Sequence, residues 1–103
     1  MRIIKADKFK GHDAWDAMDI EQIGEATIRL HWTNQPYKWH INDGPEVFVV
    51  LVGTVNMHIR LNGEESIHKL STGDVFHAEN GDEHVAHPVG EAHVLVIERA
   101  GSV

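Results

Sequence analysis

Histidine is the reactive residue in excess: nine of the 103 residues, with no cysteine in the chain. Imidazole ligates transition metals and moves protons near neutral pH. The missing thiol excludes a disulfide scaffold, a thiolate zinc site and a cysteine nucleophile. Position matters more than number. In the stretch Trp39-His40-Ile41-Asn42-Asp43-Gly44-Pro45-Glu46, His40 and Asn42 stand two apart, so on an extended strand they share a face. Glu46 follows a Gly-Pro turn that can fold its carboxylate back beside them. Far downstream, His84 follows the polar loop Glu79–Glu83. Two histidines and a carboxylate from different strands can form the facial set of non-haem iron and related divalent sites. Open positions on such an ion take substrate, water or dioxygen.

The remaining candidates have plainer readings. Glu46 opens a strand that is otherwise apolar, so its carboxylate needs a partner, and a metal or an arginine would serve equally well. His87 is out of phase with His84 and should point away from any ligand. His77 is read as facing solvent, as are His58 and His68 near the Asn62-Gly63 turn. His31 and His93 suit satisfied core or rim positions, and His12 carries no signal. Trp15, Trp32 and Trp39 could line an aromatic pocket, but large aromatics more commonly fill cores and interfaces. Trp39 points opposite to His40 and is the best interface candidate.

Short strands must position these groups. Ala26–Trp32 alternates apolar and polar residues, the period of a half-buried strand. Tyr37–Asn42 is short and extended. Glu46–Val52 is apolar on both faces, which suits a central strand covered on both sides. Val55–Leu61 alternates again and runs into Asn62-Gly63, a strong hairpin signal. Glu65–Leu70, Asp74–Ala78, His84–His87 and Ala92–Glu98 complete seven or eight strands, an all-β sandwich or barrel. Residues 13–24 are the only stretch predicted as helix, capped by Asp13 and ended by Gly24, with an extended arm or single turn as the alternative. The chain therefore divides into an N-terminal arm, 1–25, and a barrel, 26–99, of one domain.

The spacing of these residues resembles the cupin superfamily. Its first motif is His-x-His, three or four residues, Glu, six residues, Gly. His40, Asn42, Glu46 and Gly53 match it, with asparagine where the second histidine belongs. Gly73, Gly81 and His84 match the second motif, with Glu79 at its proline and Pro88 at its asparagine. The chain is most similar to small stand-alone bacterial cupins. The resemblance implies a double-stranded β-helix, or jelly-roll barrel, with His40, position 42, Glu46 and His84 as metal ligands. It also implies a homodimer. Asn42 is the departure that matters, because an amide oxygen is a poorer ligand than imidazole for Fe, Mn, Ni, Cu or Zn.

Two functions follow as expectations. One is an enzyme in which a divalent ion on His40, Glu46 and His84 holds a small oxygenated substrate, with Asn42 as a weak ligand or substrate contact. The other is a metal-degenerate cup that binds a small molecule without turnover. A formal charge of −7 argues against nucleic acid and anionic membranes as partners. No phosphate-binding glycine loop occurs. The N-terminus lacks an apolar signal core, and the longest apolar run, Val47–Val52, is too short to span a bilayer, so a soluble cytoplasmic protein is expected.

Overall fold

The computed structural model describes residues 1–102. A single 3₁₀ turn at Ala6–Lys8 precedes nine strands: β1 (Asp16–Ile23), β2 (Ala26–Thr33), β3 (His40–Ile41), β4 (Glu46–Val52), β5 (Val55–Leu61), β6 (Glu64–Leu70), β7 (Val75–Ala78), β8 (Glu83–Pro88) and β9 (Ala92–Arg99). They form two antiparallel sheets, in the orders β1-β2-β9-β4-β7 and β3-β8-β5-β6. Phe48, Val50, Val94 and Val96 from the first sheet meet Val55 and Met57 from the second in one buried core. The alternation of these strands puts every second side chain into that core. Among the described residues no helix is long and apolar enough to cross a membrane.

The alternation of β2 has a sense that periodicity could not disclose. Its polar residues, Arg29 and His31, face inward and border the cavity between the sheets. Its apolar residues, Leu30 and Trp32, face outward yet are only 1% and 4% exposed. The N-terminal arm packs against this sheet. The 3₁₀ turn lies against β4, and His93 Nε2–H donates to the Phe9 carbonyl at 2.7 Å. Gly11 lies directly against the Trp32 ring. The outer face of this sheet thus has its own small apolar layer.

The helix predicted for residues 13–24 is a strand instead. Asp13 caps nothing: the Asp16 carboxylate accepts the backbone N–H groups of His12 and Asp13, and Trp15 turns the chain at φ 65°. Those two hydrogen bonds hold the Asp16 carboxyl below its ordinary pKa. From Asp16 the chain pairs with β2 through a turn at Gly24. An irregularity between Asp19 and Glu21 interrupts the two-residue period, which is why the apolar spacing looks helical.

Gly53, the glycine ending the first cupin-like motif, is required by its surroundings. Its φ is +98°, and a Cβ there would lie 2.8 Å from the Glu91 carbonyl oxygen. Gly53→Ala is expected to cost about 2–3 kcal/mol from backbone strain and contact. That lowers the thermal midpoint by roughly 10–20 °C for a domain of this size. Gly73→Ala, at a similar φ but in open space, should cost less; equal losses in a melting experiment would refute the contact argument.

Candidate functional site

β3 and β8 pair with His40 directly opposite His84, their rings 4.4 Å apart between centroids. Just past β3 the backbone of Asn42 is clamped twice. Its N–H donates to the Asp82 carbonyl at 2.8 Å, and its carbonyl accepts from Gly81 N–H at 2.8 Å. Gly81 meets this geometry at φ +91°. The clamp fixes the Asn42 side chain in the interior, 5% exposed. Glu46 enters from the opposite sheet as the first, buried residue of β4.

These groups close into a triangle. His84 Nε2 lies 2.8 Å from Asn42 Oδ1 and 3.1 Å from Glu46 Oε1, while Asn42 Nδ2–H donates to Glu46 Oε1 at 3.3 Å. Both neighbours of His84 Nε2 are acceptors, so this nitrogen carries the proton in the ion-free arrangement. Its other nitrogen, Nδ1, is buried with no partner among the described residues. His40 differs: its Nδ1 pairs with the Lys38 carbonyl at 3.1 Å, leaving Nε2 without a protein partner among the described residues.

One donor atom from each of His40, Glu46 and His84 lies within 4.8 Å of the others. Adjacent ligands on an ion with bonds of ~2.1 Å stand roughly 3 Å apart, close to the His84–Glu46 separation. His40 has the outer hydrogen bond that usually orients a ligating imidazole. The chemistry and convergence of the donors therefore fit a divalent ion. His84 fits less well. Binding through Nε2 sends its proton to Nδ1, where nothing accepts it.

The triad borders a cavity of about 230 Å³ shared with Trp15, Tyr37, Arg29, His31 and Glu98. An edge-to-face series of rings, Trp15 to Tyr37 at 5.4 Å and Tyr37 to His40 at 5.5 Å, leads to the histidine pair. The far wall is polar. Burial lowers the His31 pKa although its Nδ1 meets the Trp15 carbonyl. Burial, and next the charge of Glu46 across the β4–β9 ladder, push Glu98 up to about 7.

Glu98 carries a stability consequence. Its folded pKa exceeds its ordinary value of 4.5, so the stability it contributes is full below pH 4.5 and is lost as pH rises through about 7. In chelator-stripped protein, Glu98→Gln should raise the thermal midpoint at pH 8 and leave it unchanged at pH 4. Because Glu98 is half-exposed, screening limits the gain to about 1 kcal/mol, or roughly 4–8 °C. An equal shift at both pH values would show that the carboxylate's charge is not the cause.

His40, Asn42, Glu46 and His84 thus meet where the sequence suggests. The other histidines scatter: His77 and His68 are exposed, and His87 stacks on His58 outside the barrel with centroids 4.0 Å apart. Burial and the neighbouring His58 lower the His87 pKa. Trp39 lies under the Arg60 guanidinium, 3.9 Å from its ring centre, and Trp32 is core. Tyr37, Arg29 and Glu98 are cavity residues that the sequence did not single out, whereas Trp15 and His31, weighed as pocket and rim candidates, line the cavity with them. Only the polar phase of β2 and the lone acid near the end of β9 could have signalled them.

No family model matches the sequence, and no curated protein matches it. Solved structures do. A cupin-2 domain containing protein from Shewanella frigidimarina aligns with a TM-score of 0.76 at 23% identity, over 86% of this chain and 84% of its own. The chain has the cupin fold. An uncharacterised Klebsiella pneumoniae protein with a double-stranded β-helix domain shares this cupin fold at TM-score 0.75 and 18% identity, over 100% of this chain and 96% of its own. Hydroquinone 1,2-dioxygenase, solved in complex with Fe³⁺, aligns at TM-score 0.78 and 15% identity. That match covers 87% of this chain and 29% of the dioxygenase.

Proposed function

We propose that this cupin barrel is a divalent-metal-dependent enzyme acting on a small oxygenated molecule. The carrying observation is the convergence of His40, Glu46 and His84 on one wall of a 230 Å³ cavity. His40 Nε2, the Glu46 carboxylate and His84 Nε2 would hold the ion, which supplies Lewis acidity or a seat for dioxygen beside substrate. Asn42 fixes the Glu46 carboxylate and offers its amide oxygen to the ion or to substrate. Trp15, Tyr37 and Phe48 exclude water around the bound molecule. A solved cupin-fold dioxygenase that carries Fe³⁺ supports this reading at the level of fold.

One observation favours a second reading, a metal-free binding cup. Asn42 and Glu46 already occupy His84 Nε2, and among the described residues Nδ1 of His84 has no acceptor for the proton an ion would displace. An unsatisfied buried N–H costs about 1–3 kcal/mol, which would weaken metal affinity about 5- to 150-fold. Elemental analysis of untagged protein separates the two. About one equivalent of transition metal per chain supports the enzyme; metal-free protein that binds none of Fe, Mn, Ni, Cu or Zn on titration supports the cup. We also infer a cytoplasmic homodimer seated on the outer apolar face around Val47, Val49 and Val75, the last of which is 60% exposed.

A further inference from the structure

The wall away from the His–Glu–His cluster carries one guanidinium, on Arg29. The β-ladder fixes its place: Arg29 pairs with Val96 on β9, and Val96 pairs with Phe48 on β4. Two strand spacings of ~4.8 Å put roughly 10 Å between the Arg29 backbone and the strand that begins at Glu46. The cavity surface between them is apolar, made by Val96 and Phe48 with Ala86 across from them. Asp19 Oδ1 accepts from Arg29 Nε at 2.7 Å and thereby fixes the plane of the guanidinium. Among the described residues no protein acceptor meets its two terminal nitrogens, and its ion pair is with Asp19 rather than with Glu98 on the same wall.

A guanidinium on a cavity-lining residue, held at Nε and unpaired at its two terminal nitrogens among the described residues, is shaped for a carboxylate, which it binds through two parallel hydrogen bonds. Among the described residues that line this cavity there is no lysine and no second arginine, so a carboxylate finds its two parallel donors on Arg29 while a phosphate lacks the additional cations it needs. We propose that the cup takes a small carboxylic acid with its carboxylate on Arg29, an apolar body over Val96 and Phe48, and a second oxygen at the His40–Glu46–His84 end. The position of the second oxygen rests on the function proposed above; the Arg29 contact does not, because it needs no ion. A planar aromatic body suits the edge-to-face rings of Trp15 and Tyr37 that border the same space.

Calorimetric titration of the full, chelator-stripped chain with para-hydroxybenzoate and its neutral amide tests the proposal. The acid should bind one per chain and at least about 10-fold tighter than the amide, as expected for a charge-assisted pair. Arg29→Gln should weaken the acid about 10- to 100-fold and leave the amide unchanged, while Arg29→Lys falls between. If Arg29→Gln lowers the thermal midpoint enough to obscure binding, the acid–amide comparison on the natural chain still decides. Equal affinity for acid and amide, indifference to Arg29→Gln, or no saturable binding of the acid overturns the proposal. A parallel Ni²⁺ titration of Arg29→Gln isolates the metal reading: that reading fails if Ni²⁺ does not bind, whatever the acid does.

Discussion

Asn42→His is expected to tighten binding of Ni²⁺ or Co²⁺ by more than the ~10–100-fold that loss of an outer-shell partner costs at metal sites. The backbone clamp from Asp82 and Gly81 already aims residue 42 at the site, with its Oδ1 2.8 Å from His84 Nε2. An imidazole placed there adds a donor that suits these ions better than an amide oxygen. It also removes the amide N–H that now occupies Glu46 Oε1. Calorimetry on the untagged variant beside the natural chain provides the measurement. Unchanged affinity in a variant that still folds would mean that residue 42 does not point at a metal position.

His84→Ala should have two large effects. The first is complete loss of saturable metal binding, since two donors from His40 and Glu46 cannot make the facial set. The second is a stability loss of about 2–4 kcal/mol. His84 is 2% exposed, and its removal leaves a cavity beside Phe76 and strips Asn42 Oδ1 of its hydrogen-bond donor. His84→Gln separates the effects, because it keeps a donor and much of the volume but lacks an imidazole. Chemical denaturation and metal titration of both variants give the readouts. Metal binding that survives in His84→Ala would remove this residue from the site.

The cluster was legible in the sequence because strand spacing and turn chemistry are local. His40 and Asn42 share a face through the two-residue period, and Gly53 and Gly81, read from the sequence as motif positions, both stand at positive φ. β4 and β5 begin and end at the residues that hydropathy suggests. What escaped depends on the other sheet. The alternation of β2 does not say which of its faces meets the cavity, because nothing local reveals that Gly11 packs on Trp32 or that Arg29 and His31 line the space between the sheets. β1 was misread as helix because one irregularity at Asp19–Glu21 broke its alternation. Glu98 was silent for a related reason. Its partner Glu46 is 52 positions away in the chain and adjacent only through the ladder between β4 and β9.

The same long-range geometry leaves Asn42 as the residue on which the function turns. It either supplies a weak fourth donor or, with Glu46, occupies the His84 nitrogen that an ion needs. Anomalous diffraction from crystals of untagged protein grown with Co²⁺ observes this directly. The account predicts one strong peak in the cup, bonded at ~2.0–2.2 Å to His40 Nε2, a Glu46 oxygen and His84 Nε2. A cup with no peak and the Asn42–Glu46–His84 hydrogen bonds intact, or a peak held only by the outer His58–His87 pair, would contradict it.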